Sequence, residues 1–381
     1  LLVLGAGMAG AENLIGALRA ADPSLVLVGG HDDRFALSRS AADRRVLLPD
    51  GGTPRLVLAL RRLVHDVPID LILPTIDRHV ELLSAARRHL GAAVYLPPAR
   101  VIELCRDKYE LARALARRRI AVPATYAVSG PRSVDRIFGR FPPGAPLWCR
   151  PRTGTNARGA GLVSTPDEAR RWISLWHGMR GISPSAFTLC AYLPGRDFMC
   201  QGVWHRGEML LASTFERLGC FGADNTPSGV SSLSSLAKTV VEPDVVALCR
   251  RAIRAIAPGA SGAFSIDVKE DEDGRPHITE INAGRFFTAM TAFDRVLKHR
   301  MVLTFVRLAL GEPPAFREEY DAVDGYYMVR DIDVAPGIVH ASDLFEGIER
   351  SQTRWAWIRS RRTRCTRSRC RSRAARTGPR S

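Results

Sequence analysis

Along residues 1–96, apolar runs of strand length alternate with segments whose apolar positions recur every three or four residues. This rhythm predicts strands at Leu1–Leu4, Leu25–Gly29, Leu71–Pro74 and Val94–Leu96, and helices at Ala9–Ala20 and Val80–His89. The alternation is that of an α/β unit, a parallel sheet with helices on its faces. Pro97-Pro98 marks a boundary, and a helix is expected over Arg106–Arg118. Ile120–Tyr126 then leads into a second region, where the apolar runs Pro146–Cys149 and Leu162–Val163 flank a Gly-rich turn, Thr153–Gly161. From Thr188 to Phe305 the pattern is strand-rich, with helices at Pro243–Ile256 and Thr291–Leu310. No internal repeat is present.

The period changes to two in GAFSIDVKEDEDGRPHITEINAGR, Gly262 to Arg285, which reads as two strands and a tight turn. Asp273-Gly274 is a strong hairpin signal, because both central residues of such a turn take positive φ. With those residues at the turn, Asp267 lies opposite Glu280 and Ser265 opposite Asn282. Alternation then puts Asp267, Glu280 and Asn282 on one face, with Phe264, Ile266 and Ile281 on the other. Carboxylates opposed across a ladder repel unless something cationic sits between them. Carboxylate oxygens joined by phosphate oxygens are the surroundings Mg²⁺ prefers. The competing reading is a solvated acidic hairpin with Lys269 nearby.

A chain of 381 residues is long enough for two or three subdomains and a substantial core. No apolar stretch reaches the ~20 residues that span a bilayer. Leu1–Leu4 is too short for a signal-peptide core and runs straight into a Gly turn. The missing initiating Met suggests a truncated or processed start, and a soluble, cytoplasmic protein is expected. The net charge of +16 is concentrated: Arg350 to Ser381 holds twelve Arg and no acid, and removing those leaves +4 for residues 1–349. This tail lacks periodicity and is expected to be disordered. It would bind nucleic acid only non-specifically, by counterion release, and base composition is the favoured explanation for it. The eight Cys, at 105, 149, 190, 200, 220, 249, 365 and 370, form no CxxC pair, so neither a disulfide framework nor a structural zinc site is supported. Scattered reduced thiols fit the cytosol. No HExxH, GxSxG or Cys/His nucleophile pair is present.

Gly5-Ala6-Gly7-Met8-Ala9-Gly10 is a GxGxxG between a strand and a helix, and Asp32 and Asp33 stand roughly where a ribose-binding acid would. Dinucleotide binding and a purely structural strand-to-helix turn are the two readings, and the downstream residues favour the second. Arg106-Asp107-Lys108-Tyr109-Glu110-Leu111 opens a helix; PLWCRPRTGTNARGAGLV follows at Pro146–Val163, then AYLPGRDF at Ala191–Phe198, then the acidic hairpin ending in Glu280-Ile281-Asn282. In this order and spacing the chain resembles the ATP-grasp superfamily, in the branch similar to carbamoyl-phosphate synthase large subunits and carboxylate–amine ligases. The resemblance covers about residues 1–310.

The fold so implied is α/β and α+β, a Rossmann-like preATP-grasp domain followed by a two-lobed ATP-grasp fold. Its parts would be a Rossmann-like domain at 1–96, an N-terminal lobe with the Gly-rich phosphate loop at 97–187, a C-terminal lobe with the metal site at 188–345, and the tail at 346–381. The implied activity is an ATP- and Mg²⁺-dependent ligase, with Mn²⁺ as a substitute ion, that activates a small carboxylate as an acyl phosphate for attack by an amine or similar nucleophile. Bicarbonate phosphorylation and a non-catalytic nucleotide-binding protein are the alternatives. Phosphoryl transfer asks the protein mainly for positioning and charge neutralisation. The resemblance assigns metal binding to Asp267, Glu280 and Asn282, and phosphate contacts to Lys108 and Arg150, the latter in place of a common Lys. Backbone N–H groups of the loop holding Gly154 and Gly159 would point at phosphate oxygens. Asp197 would hold the ribose, and the backbone of Cys190 to Leu193 the adenine edge. Cys190-Ala191 stands where the family usually has a hinge carboxylate. Arg285, one residue later than the family position, is the candidate carboxylate or acyl-phosphate clamp, acting with Arg150 in catalysis. Arg217 opens a Gly/Ser-rich loop, Glu216–Ser232, of a length that often covers an active site. Phe286 and Phe287 are pocket or core residues. Substrates would be small molecules; the oligomeric state is not legible.

Overall fold

The computed structural model describes residues 1–50, 54–155, 157–223, 226, 229, 231–313, 316–317, 319–331 and 334–343. The Arg-rich tail and part of the Glu216–Ser232 segment lie outside the described residues. Residues 1–339 form one compact unit; of a second, 340–381, only 340–343 are described, including a 3-10 turn at Ala341–Asp343.

The first sheet is parallel, in the order β3-β2-β1-β4, from β1 Leu2–Leu4, β2 Val28–His31, β3 Arg44–Leu47 and β4 Ile72–Leu73. Its helices are α1 Ala9–Ala21, α2 Arg34–Ser38, α3 Pro54–Asp66 and α4 Asp77–Ala86. Leu2, Leu4 and Ile72 are buried in one core cluster, Leu1, Val3 and Leu73 in another. Both sheet faces are therefore covered, which is why these strands read as continuous apolar runs. The strand expected at Val94–Leu96 reduces to one bridge, Leu71 with Ala93. The second predicted strand starts later, at Val28, and the second predicted helix earlier, at Asp77, ending in a 3-10 turn, Arg87–His89.

Next come α5 Ala99–Arg106, which was not expected, and α6 Lys108–Ala116, which lies within the expected Arg106–Arg118. Asp107 divides them. Its backbone is extended, and its carboxylate accepts from the N–H groups of Tyr109 and Glu110 at 3.0 and 3.1 Å, an N-cap of the kind that contributes about 1 kcal/mol. A second, antiparallel sheet, β5-β8-β6-β7, is built from β5 Thr125–Ala127, β6 Leu147–Pro151, β7 Gly161–Val163 and β8 Phe187–Ala191. Helices α7 Pro131–Phe138 and α8 Pro166–Arg180 share its apolar core.

The third sheet runs β13-β12-β9-β10-β11-β15-β16, with β14 paired to β10. Its strands are β9 Asp197–His205, β10 Glu208–Cys220, β11 Ser234–Thr239, β12 Gly262–Glu270, β13 Pro276–Ala283, β14 Glu319–Tyr320, β15 Tyr326–Asp331 and β16 Val334–His340. Helix α9 Pro243–Ile256 matches its expected span; the last expected helix is a 3-10 segment, Met290–Arg295, followed by α10 Met301–Ala309. Trp204 and Phe264 are fully buried and meet edge to face at 5.1 Å, anchoring β9 to β12.

The glycines of the first turn serve packing. Gly7 has φ +87, and a Cβ there would lie 1.7 Å from the Ala36 carbonyl oxygen. A Cβ on Gly10 would lie 2.3 Å from Thr288 Oγ1, so α1 runs against the loop that follows β13. The N–H of Gly7, a natural anion donor, is taken by Glu12 Oε1 at 2.7 Å, while Glu12 Oε2 accepts from Ala41 N at 2.8 Å. Asp32 pairs with Arg78 and His31, and Asp33 caps α2 through Phe35 N at 2.7 Å.

Gly7→Ala is expected to destabilise the protein by about 2–5 kcal/mol, since it combines a positive φ with a backbone clash; a denaturant melt showing a loss below about 1 kcal/mol would contradict this. Asp294 generates a second test. Its buried carboxylate accepts from Val302 N at 2.9 Å, and its Oδ1 has no partner among the described residues. Burial pushes its pKa up to about 7, against the pull of the Val302 and Met301 N–H groups. A raised carboxylate pKa contributes stability that is full below the ordinary value near 3.8 and is lost as pH rises through about 7. Asp294→Asn removes that dependence, so its stability relative to the parent should climb between pH 4 and pH 7 and then level off. A constant difference across that range would contradict the assignment.

Candidate active site

The acidic face of β12 and β13 forms part of the wall of a cavity of about 880 Å³. Asp267 pairs with Glu280 and Ser265 with Asn282, as alternation predicts, while Phe264, Ile266 and Ile281 are buried in the core. The turn differs from expectation. Glu270 pairs with Pro276, so the loop runs from Asp271 to Arg275, with Gly274 at φ +75. A bulge at Thr279, between the Asp267–Glu280 and Val268–Ile278 pairs, absorbs the one-residue offset. The Thr279 carbonyl, turned out of the ladder, accepts from Arg150 Nη2 at 2.9 Å. Thus β6 is fastened to the hairpin at the site itself.

Each opposed carboxylate has its own cation. Lys108 Nζ lies 3.2 Å from Glu280 Oε1 and donates to the Gly154 carbonyl at 3.0 Å, joining α6, the Gly-rich turn and β13. Its position follows from the Asp107 cap, which Arg152 grips through Nη2 at 2.6 Å. Arg217 Nη2 donates to Asp267 Oδ1 at 2.8 Å, and Nη1 to both oxygens of Asp197 at 3.0 Å. Burial pushes the Asp267 pKa up to about 6; Arg217 opposes the rise, and the charges of Glu280 and Asp197 add to it. Burial acts to lower the Arg217 pKa, but Asp197 and Asp267 outweigh it and raise the net value.

The cavity wall also takes in the C-terminal end of β8 and the residues after it. Cys190, paired in the ladder with both Thr125 and Trp148, and Leu193 are buried, and Trp148 and Tyr192 pack at 6.5 Å with Lys269 Nζ 5.7 Å above the Tyr192 ring. Arg285, also in the wall, donates through Nη2 to Asn282 Oδ1 at 2.5 Å and through Nε to Asp77, the first residue of α4. Gly284, at φ +94, turns the chain before it. Phe287 lines the cavity, whereas Phe286 is core and meets Phe305 at 5.2 Å.

Lys108, Arg150, Gly154, Cys190, Leu193, Asp197, Asp267, Glu280, Asn282 and Arg285 thus all line one cavity. Gly159 does not. Its φ is +76, a Cβ would lie 2.9 Å from Pro151 Cγ, and its carbonyl accepts from Trp172 Nε1 at 2.9 Å, so it shapes the turn from behind. The expected covering loop begins later than read, because β10 continues to Cys220. Sequence reading missed Trp148, although it stands two residues before Arg150 on the same strand and so shares its face. It also missed Asp77, whose nearness to Arg285 spans 208 positions and has no local signal.

Among the described residues no group of three His, Cys, Asp or Glu could cage a metal ion. Two carboxylates and an amide oxygen on one face suit a hard cation that completes its shell from outside the protein, as Mg²⁺ does with phosphates. Lys108, Arg150, Arg158, Arg217 and Lys269 line the same cavity, and Arg150 Nε is buried without an acceptor among the described residues. The donors present fit the magnesium nucleotide that the resemblance implies.

No protein-family model matches the chain, and no curated protein matches it. Solved structures do. The L-amino acid ligase of Bacillus licheniformis superposes with a TM-score of 0.63 at 14% identity, covering 86% of this chain and 78% of that one. The biotin carboxylase domain of Hydrogenobacter thermophilus 2-oxoglutarate carboxylase, solved with MgADP, ADP and bicarbonate, gives 0.67 at 16% identity over 86% and 73%. Carboxyaminoimidazole ribonucleotide synthase from Aspergillus clavatus, complexed with ATP, gives 0.60 at 16% identity over 86% and 80%. These are ATP-grasp structures, and each likeness covers 86% of this chain; the chain has the ATP-grasp fold.

Proposed function

We propose that the protein is an ATP- and Mg²⁺-dependent ligase that activates a small carboxylate for attack by an amine or similar nucleophile. The observation that carries this reading is the convergence of the Asp267/Glu280/Asn282 face, Lys108, Arg150 and Arg285 on one cavity of an ATP-grasp fold. Magnesium ATP, when bound, would supply the γ-phosphoryl group that converts the carboxylate into an acyl phosphate. Asp267, Glu280 and Asn282 would hold the metal. Lys108 and Arg150, each tied to a backbone carbonyl, would present positive charge to the phosphoryl oxygens as they gain charge. Backbone at Cys190 and Leu193, with Trp148 and Tyr192, would receive the adenine. Asp197, bound to Arg217, orients that guanidinium and would also hold the ribose. Arg285, held by Asp77 and Asn282, presents a guanidinium of set direction to the acid being activated.

The related structures with amino acid ligase, carboxylase and synthase names support a carboxylate-activating reaction, and bicarbonate remains one acid to test. No described helix is long and apolar enough to cross a membrane. The free cysteines at 105, 149, 190, 200, 220 and 249 support a reducing, cytoplasmic setting. The proposed partition is 1–96, 97–187 and 188–345.

ADP release measured across a panel of carboxylates, bicarbonate included, and amines should require both Mg²⁺ and a suitable acid. Nucleotide binding without turnover under every combination would favour a non-catalytic nucleotide-binding protein. Glu280→Gln should fold, as judged by its melt, and lose about 10²–10³-fold in kcat, the scale for removing a group that stabilises transition-state charge. Parental ADP production by the folded variant would sink the metal assignment.

A further inference from the structure

The side chain of Arg217 is only 13% exposed, yet it stands in the wall of the cavity between two carboxylates from different strands. Four of its five N–H donors are directed: Nη1 to both oxygens of Asp197 at 3.0 Å, Nη2 to Asp267 Oδ1 at 2.8 Å, and Nε to Ser234 Oγ at 3.2 Å. The other oxygen of Asp267 accepts from the Asn282 amide at 3.3 Å. Both Asp267 oxygens are therefore engaged within the protein before any ligand arrives.

A guanidinium has no acceptor and keeps its charge at all working pH values. It can neither coordinate a metal ion nor step aside by losing a proton. A bare divalent cation approaching Asp267 must compete with Arg217 for Oδ1 or settle on Oδ2, and in either case it places two more positive charges beside a guanidinium that Asp197 still holds. A cation that arrives on nucleotide phosphates is different. It comes with net negative charge, and the phosphate oxygens can accept the Nη2–H that Asp267 gives up. Asp197 is the fixed end of this exchange, and Asp267 the end that is released.

We infer that Arg217 is a latch on the metal site: it occupies Asp267 in the ligand-free protein, bars a bare divalent cation, and yields only to phosphate oxygens that take its place. Both halves rest on the metal site proposed at Asp267, and the phosphate half rests also on the nucleotide of the proposed ligase reading. Arg217 is a positioning and gating residue here, apart from the phosphate cations Lys108 and Arg150. The device makes metal and nucleotide bind as one unit.

The test uses full-length protein and two separate titrations, Mn²⁺ without nucleotide by electron paramagnetic resonance, and ADP without metal by calorimetry. Arg217→Gln should bind bare Mn²⁺ about tenfold tighter or more and metal-free ADP about tenfold more weakly, within the usual range of a coupling between sites. Opposite signs are the signature, because a residue that merely supports the fold would weaken both. Any other pair of signs, or no change in either, overturns the inference. If Arg217→Gln does not fold, Arg217→Lys, which keeps the charge but not the forked reach to both carboxylates, should shift both affinities in the same directions by a smaller factor. Affinities equal to the parent in Arg217→Lys would then overturn it. A parent protein with no affinity for ADP, with or without Mg²⁺, removes the ligase reading itself; the Mn²⁺ comparison alone then decides whether Arg217 bars the metal.

Discussion

Two carboxylates facing each other across one ladder, Asp267 and Glu280, govern the arrangement of this cavity. The hairpin needs that register to bury Phe264, Ile266 and Ile281 behind it, and each such side chain adds about 1.5–3 kcal/mol when buried. The register that fills the core thus forces two like charges together on the other face. Cations from distant segments compensate, Lys108 from the start of α6 and Arg217 from β10. Arg150 from β6 joins them through the Thr279 carbonyl.

The compensation links the three sheets. Lys108 reaches Glu280 because Asp107 ends one helix and caps the next, and because Arg152 holds Asp107 in turn. Arg285 ties β13 to α4 of the parallel sheet through Asp77. Gly10 lets α1 approach Thr288 just beyond the hairpin. Without a ligand these contacts are an interlocked set of ion pairs; with a metal-bound polyanion the same cations would have phosphate oxygens to face. Charge balance is therefore the quantity that the proposed nucleotide binding would change.

Much of the site was legible because its signal is local. Alternation placed Asp267, Glu280 and Asn282 on one face even though the turn was read one residue too tight, since the Thr279 bulge restores the register beyond it. Motif order brought Lys108, Arg150, Gly154 and Arg285 to one place, as found. What escaped depends on tertiary contacts. Helix α3 follows a Gly-rich stretch and was not seen, α5 was not seen either, and the helix read over Arg106–Arg118 starts only at Lys108, after the Asp107 cap that Arg152 holds. Gly159 proved to be a packing glycine because Trp172, well away along the chain, takes its carbonyl. The GxGxxG turn was read as structure, and Glu12 on the Gly7 N–H supplies a physical reason why a phosphate is not needed there.

The most direct measurement is a crystal of the full chain grown with Mn²⁺ and ADP and recorded at the manganese absorption edge. The expected result is an anomalous peak within coordinating distance of Asp267 and Glu280, with the ADP phosphates beside Lys108 and Arg150 and the adenine near Tyr192. Nucleotide at the Gly5–Gly10 turn, or a metal peak away from the hairpin face, would contradict the assignment of this cavity.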